Sequence, residues 1–168
     1  MNNRGAAAIV VIVILAIIGG VSFVLLSMSE KVHDTAKDSI QAETNSLVSK
    51  VIREKEFSEE DFEDFLRNIQ AKTSLVVDAN IELQIPNGNA AKKIQSADGT
   101  VSSSDNYVTY YTSNIEDMWK DSTNNGKIKL EQGSRIYIEV TSENKSAKEV
   151  LTKREDKIVA SSSGVVGK

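Results

Sequence analysis

LVVDANIELQI, Leu75 to Ile85, changes from Val77 onward into a strict alternation of apolar and polar residues. A period of two predicts a β-strand with one buried face and one face in water. The turn-forming run 86–89 (PNGN) follows directly and ends the strand. The chain is therefore expected to contain a sheet that is covered on one side only.

A short amphipathic helix is predicted just before this strand. Ser58 is placed to cap it, with Asp61 at the capping-box position and Phe57 and Phe62 as the flanking hydrophobic staple. Its apolar residues recur at three- and four-residue spacing: Phe62, Phe65, Leu66 and Ile69. The acidic residues 59–61 suit the positive end of the helix dipole, so we interpret them as part of the cap and not as a metal or acid–base site.

Short elements follow the strand. Residues 87–106 are polar and glycine- and serine-rich and are predicted to form a loop; residues 107–112 (YVTYYT) have high strand propensity. Asn114 is expected to cap a helix over 115–120 that holds Met118 and Trp119 against the core.

The C-terminal third is expected to add more strands. Residues 127–131 and 134–141 alternate around Gly133, which predicts a hairpin pairing Ile128 and Leu130 with the apolar residues of the second segment. Residues 153–162 are expected to end in another short strand, with a loose tail over 164–168. Since no long helices separate these strands, the fold class is α+β, with a mainly antiparallel sheet and a short helix packed on it.

The opposite end of the chain carries an uncharged run, AAAIVVIVILAIIGGVSFVLLSM, residues 6–28. As a helix it would be about 35 Å long, enough to cross a bilayer. A cleaved signal peptide is the alternative, although the run is longer than a usual signal core. Gly19 and Gly20, in the middle of the run, would allow close helix–helix packing.

The helical pattern does not stop at residue 28. Val32, Ala36, Ile40, Leu47 and Val51 form a narrow apolar stripe, which predicts one continuous helix from about residue 6 to about residue 53. The predicted organisation is then a basic flank (1–5), a transmembrane helix (6–28), an amphipathic stalk helix (29–56) and an α+β head (57–168).

Composition excludes several classes of function. Among 168 residues there is no cysteine and one histidine, and the net charge is −4. Thiolate metal sites and multi-histidine sites are excluded, and no basic stripe is available for nucleic acid. No phosphate loop or hydrolase motif occurs. We therefore predict no catalytic residue, no metal, no cofactor and no contact with nucleic acid: the protein is not expected to be an enzyme.

The layout of the chain resembles that of type IV pilin-like proteins. It combines a short basic segment ending in glycine, a directly following apolar helix, the amphipathic continuation of that helix and a small α+β head. The nearest resemblance is to the Tad-type and TadE-like pseudopilins of Gram-positive bacteria. It rests on residues 1–5 (MNNRG), on the helix 62–69, on the segment 130–140 and on the closing run 158–166. It implies cleavage by a prepilin-type peptidase between Gly5 and Ala6, a cytoplasmic N-terminus and an extracellular head.

The same resemblance implies partners: a membrane and other pilin-like or secretion-apparatus subunits, with homo-oligomers among them. Pilins usually carry glutamate at the fifth mature position, which is Val10 in this chain. That departure favours a minor pilin or pseudopilin of a pilus, secretion or conjugation apparatus over a major filament subunit. The alternative is a single-pass membrane protein whose extracellular domain binds a ligand or partner through the loop 87–106 and Tyr107, Tyr110 and Tyr111.

Overall fold

A computed structural model describes residues 3–86, 103–104, 107–143, 153 and 157–167. The chain divides into two units, one made of residues 1–35 and 145–156, the other of residues 36–144 and 157–168. The fold is α+β, as predicted. The predicted loop 87–106 lies outside the described residues except for Ser103 and Ser104.

Three helices and seven strands are described. The helices are α1 (Asn3–Glu54), α2 (Glu59–Thr73) and α3 (Thr112–Lys120). The strands are β1 (Glu56–Ser58), β2 (Val77–Pro86), β3 (Ser103–Ser104), β4 (Tyr107–Tyr111), β5 (Lys127–Lys129), β6 (Arg135–Ser142) and β7 (Val159–Val165).

The predicted helix over 6–53 corresponds to α1. Its apolar stripe is buried at Ala36, Ile40, Leu47 and Val51, but Val32, predicted as part of the stripe, is 69% exposed. Over the part of the chain that is described, no helix is both long enough and apolar enough to cross a membrane.

The larger unit is built around β2. The strand order is β3-β4-β2-β6-β7, and every neighbouring pair is antiparallel. The alternation predicted for β2 is confirmed, because Ala79, Ile81, Leu83 and Ile85 are buried while the residues between them are not. These side chains join those of α1 (from residue 36), α2 and α3 in one core.

The predicted hairpin between residues 127–131 and 134–141 is wrong. β5 pairs with β1, with Ile128 opposite Phe57, while β6 pairs with β2 and β7. The amide of Leu130 donates to the carbonyl of Lys55 at 2.8 Å, which fixes the segment on β1. Gly133 turns the chain with φ 89° and directs it from the small two-stranded sheet into the large one.

The predicted loose tail is also wrong. Gly164 and Val165 belong to β7, and Val166 is buried and donates its amide to the carbonyl of Ser134 at 2.8 Å. A Cβ added at Gly164 would stand 2.0 Å from Cδ1 of Ile52 and 3.2 Å from Cγ1 of Val48. Any side chain there would force Ile52 to shift, because α1 packs directly on the strand.

The cap of α2 forms as predicted, with one difference. The amide of Asp61 donates to Oγ of Ser58 at 3.1 Å, and the rings of Phe57 and Phe62 meet edge to face at 6.3 Å. The carboxylate of Asp61, expected to complete a capping box, instead accepts from Nζ of Lys50 at 2.5 Å. It therefore joins α2 to α1.

α3 begins earlier than predicted. Tyr111 stands at the cap position and Thr112 is the first helical residue, so Asn114 lies inside the first turn and is not the cap. Its Oδ1 accepts from the amide of Tyr111 at 3.1 Å, which still satisfies an amide at the helix start. Met118 and Trp119 are buried, as predicted.

Candidate functional site

Among the described residues, no helix of the larger unit covers one face of the five-stranded sheet. We call it the outer sheet face and define it by Glu82, Gln84, Tyr111, Arg135 and Tyr137. The strand register places Glu82 directly between Tyr111 on β4 and Tyr137 on β6, and Gln84 directly beside Arg135. Tyr111 is 46% exposed and Tyr137 38% exposed. Two exposed phenols thus flank one carboxylate.

Hydrogen bonds and stacking hold these side chains in place. Nε2 of Gln84 donates to Oε1 of Glu82 at 2.7 Å, and the hydroxyl of Tyr137 donates to Oε2 of Glu139 at 2.9 Å. The guanidinium carbon of Arg135 lies 4.5 Å above the ring centre of Tyr107, which is cation–π geometry. These contacts link neighbouring side chains across the outer sheet face.

The hydrogen bond to Glu139 raises the pKa of Tyr137, because its proton is held by a carboxylate. Tyr137 is consequently a neutral hydrogen-bonding phenol at physiological pH and not a candidate base. A shallow depression of about 230 Å³ lies beside it, lined by Glu82, Gln84, Arg135, Tyr137, Ser163 and Val165. Such a lining suits non-covalent contact through one ring, one cation and a few polar groups.

A second depression, of about 160 Å³, separates α1 from α2. Its charged side chains are paired within the chain: Lys50 with Asp61, Glu43 with Lys72, and Asp64 with Arg67. Among the described side chains, no group of three histidine, aspartate or glutamate residues is arranged to hold a metal ion. We interpret this groove as a structural clamp between two helices.

The Lys50–Asp61 pair makes stability depend on pH. Burial raises the pKa of Asp61, but hydrogen bonds from Lys50 and Ser58 lower it by more, so the pKa lies below its usual range. A lowered pKa gives stabilisation that is complete above the unfolded-state value, about 3.9, and is lost as pH falls through the folded-state value. The same hydrogen bond raises the pKa of Lys50. At high pH, the stabilisation from the pair is therefore lost only as pH rises through the folded-state pKa of Lys50.

We expect Asp61→Asn to lower the free energy of unfolding by about 0.5–1 kcal/mol at pH 6, as for a partly exposed ion pair, and by less at pH 3. The measurement is urea unfolding of the full chain in detergent, followed by the fluorescence of its single tryptophan. In a Lys50→Met background the same substitution should have little effect at either pH. An equal effect with and without Lys50 would show that the ion pair is not the cause.

The predicted contact tyrosines divide into two groups. Tyr111 belongs to the outer sheet face, and the ring of Tyr107 lies against Arg135 of that face. Tyr110, however, points into the core at 2% exposure, and burial raises its pKa. Tyr110 is therefore excluded as a contact residue. This follows from register: Tyr110 lies opposite Leu83, on the buried side of β2.

No match was found among protein-family models, curated proteins or solved structures. The resemblance to pilin-like proteins therefore stays a prediction from the residues quoted above.

The residues predicted for leader cleavage and for helix packing all lie in α1. Gly5 and Ala6 are in its first turns, and Gly19 and Gly20 are farther along. A Cβ built on either Gly19 or Gly20 meets no described atom within 4 Å, so this stretch of helix surface is uncovered within the described chain. These four residues belong to the smaller unit, whereas the outer sheet face belongs to the larger one.

The outer sheet face was predicted only in part. Tyr107 and Tyr111 were expected to be contact residues, whereas Arg135 and Tyr137 were not. The alternation of β2 did mark Glu82 and Gln84 as facing water. The alternation could not give the register between β2 and β6. That register places Tyr137 beside Glu82 and Arg135 beside Gln84, although each pair is more than 50 positions apart in the chain.

Proposed function

We propose that the chain is a non-enzymatic, membrane-anchored, pilin-like subunit, a minor pilin or pseudopilin of a surface pilus, secretion or conjugation apparatus. It would be anchored by residues 6–28, with the N-terminus in the cytoplasm and the α+β head outside. Assembly would use packing between N-terminal helices, with Gly19 and Gly20 as points of close approach.

The observation that carries this proposal is the exposed apolar surface of α1. Large apolar side chains are at least half exposed at Val13, Ile14, Leu15, Ile17, Ile18, Val21, Phe23, Val24 and Met28. At 3.6 residues per turn these positions lie on every side of the helix. A continuous apolar surface of this kind is unfavourable in water and marks a region that lipid or other helices cover.

The second support is that the same helix enters the head. Residues 36–51 of α1 contribute Ala36, Ile40, Leu47 and Val51 to the core under the sheet, within the larger unit. One secondary-structure element therefore carries both the exposed apolar segment and part of the head core. This is the layout that the resemblance to pilin-like proteins implies.

The deciding experiment is the intact mass and N-terminal sequence of the protein purified from its native host membrane. We expect a chain that begins at Ala6. Gly5→Leu should leave the leader attached, because the peptidase must fit a side chain where none was present. Ala8→Leu, three residues beyond the junction, is the matched control and should be processed as the wild type is. A wild-type chain that still begins at residue 1 or 2 would contradict the processing proposal.

The second candidate function is a single-pass membrane protein whose head binds a partner, and the depression on the outer sheet face favours it. A photo-crosslinking amino acid at Tyr111, in native membranes, should then give a discrete adduct. Ser113, exposed on the adjacent helix, is the control position. Equal adducts at both positions, or none at either, would remove this candidate.

A further inference from the structure

Among the described strands, β7 is the last of the five-stranded sheet and has a neighbour, β6, on only one of its sides. The amide of Val166 donates to the carbonyl of Ser134, and the carbonyl of Ile158 accepts from the amide of Ser142. Even-numbered residues of β7 therefore direct their backbone groups toward β6. The N–H and C=O groups of Val159, Ser161, Ser163 and Val165 point away from the sheet.

This edge lacks the usual protection against pairing. Natural edge strands carry charged residues, proline or bulges, whereas β7 reads VASSSGV and pairs with β6 over its whole length without a bulge. One outward carbonyl, that of Ser161, accepts from Nε2 of Gln41 on α1 at 2.7 Å. This half-buried side chain, which also donates to Oδ1 of Asn45 at 3.1 Å, occupies one of the outward backbone groups and would have to turn aside for a second strand to pair along the whole edge.

The sequence of β7 is close to symmetric about Ser162. Val159 and Val165 stand at the two ends, a small residue follows each inward, and three serines fill the centre. Both valines are exposed, at 48% and 55%, and both lie on the outer sheet face. In antiparallel pairing of two identical strands, residue i of one lies opposite residue j of the other and j opposite i. The near-symmetry of β7 would therefore set valine opposite valine and serine opposite serine.

We propose that β7 is a self-association edge: two copies of this chain pair antiparallel through β7, about a two-fold axis at Ser162. Val159 of each copy then lies opposite Val165 of the other, and Ser161 opposite Ser163. The outward backbone groups would form about eight hydrogen bonds. The four exposed valines would cover one another as two cross-strand pairs.

This contact is distinct from the assembly proposed above. A two-fold axis perpendicular to the sheet reverses every direction within it, so the two heads run opposite ways. Packing of parallel N-terminal helices requires heads that run the same way. Neither proposal depends on the other, and each has its own measurement.

The pair is expected to be transient. One pair of seven-residue strands covers well under the roughly 1,200 Å² of a stable specific interface. Covalent trapping is therefore a better test than the oligomeric state at equilibrium, and a chain without cysteine provides a clean background for it.

The experiment uses two full-length variants, Val159→Cys and Val165→Cys, purified separately in detergent and then mixed under mild oxidation. Directly opposed residues in a hydrogen-bonded antiparallel pair have Cα atoms about 5.5 Å apart, within disulfide range. The Cα atoms of the same position in the two chains, such as Val159 in each copy, would be about 20 Å apart, because they are offset by six residues along the strand. We expect the mixture to form disulfide dimers at least about ten-fold faster than either variant alone, because pairing raises the effective thiol concentration.

Two controls make the result decisive. Ser113→Cys mixed with Val165→Cys gives the rate of random collision at an exposed position. Ser163→Pro, added to both cysteine variants, removes an outward N–H without touching the ladder to β6, a position where an edge strand tolerates proline. It should reduce the mixed rate to the collision rate while the urea midpoint of the head stays close to that of the parent.

Two results would overturn the proposal. One is cross-linking of Val159→Cys alone as fast as the mixture, which would indicate a parallel or unspecific contact. The other is a mixed rate that equals the collision rate or is unaffected by Ser163→Pro. Both leave the N-terminal processing result untouched, so failure of this proposal and failure of the proposed function can be told apart.

Discussion

Replacing Trp119 with alanine is expected to lower the free energy of unfolding of the head by about 3–5 kcal/mol, the range for removing a buried aromatic side chain. Trp119 is buried and its ring meets that of Phe57 edge to face at 5.0 Å, with Phe62 at 5.6 Å on another side. Its Nε1 donates to the carbonyl of Phe57 at 3.1 Å. One side chain thus joins α3 to β1 and α2.

The hydrogen bond and the packing can be separated. Trp119→Phe keeps a ring in the cluster but removes the donor, which leaves the buried carbonyl of Phe57 without this partner. We expect a loss of about 1–3 kcal/mol from that change. Because both variants remove the only tryptophan, unfolding in urea would be followed by pulse proteolysis of the full chain in detergent. A loss below about 1 kcal/mol for Trp119→Ala would show that the aromatic cluster does not hold the elements together.

The elements that the sequence predicted correctly are those with a local physical signature. The alternation in β2 reflects a strand with one buried face, and the cap at Ser58 needs only the residues that immediately follow it. In both cases the information lies within one element. The aromatic staple beside the cap belongs to the same class, because Phe57 and Phe62 are five positions apart.

The elements predicted wrongly depend on partners far away in the chain. The alternation of β5 spans three residues and fits β1 as well as β6, so sequence proximity suggested a hairpin that the backbone hydrogen bond to Lys55 rules out. The tail looked loose because Gly164 has no side chain. The reason for that glycine is the approach of Val48 and Ile52, more than 100 residues earlier.

The candidate site shows the same limit. Glu82 and Gln84 were identified as facing water, but Arg135 and Tyr137 join them only through the β2–β6 register. A polar face on a single strand does not reveal what the neighbouring strand places beside it. Tyr110 and Tyr111 make the point most directly, since one step along β4 separates a core residue from an exposed one.

The proposed membrane anchor is best tested by placing charge within residues 6–28. We expect the double substitution Ile17→Arg/Ile18→Arg to move the full chain from the membrane fraction to the alkaline-soluble fraction. Each arginine near the middle of a spanning helix costs about 2.5–3.5 kcal/mol on insertion scales, so the pair costs about 5–7 kcal/mol. Ile17 and Ile18 are both exposed on α1, so the substitution leaves the described core of the head unchanged.

The matched control is Val32→Arg, on the same helix but beyond residue 28. Val32 is exposed, and it lies among charged neighbours such as Lys31 and Asp34. A positive charge there should leave membrane association unchanged, because the residue is outside the proposed span. If the wild-type chain is itself released by alkaline washing, residues 6–28 are covered by protein and not by lipid. In that case the apolar surface of α1 belongs to a helix bundle, and the processing experiment at Gly5 would decide whether that bundle is pilin-like.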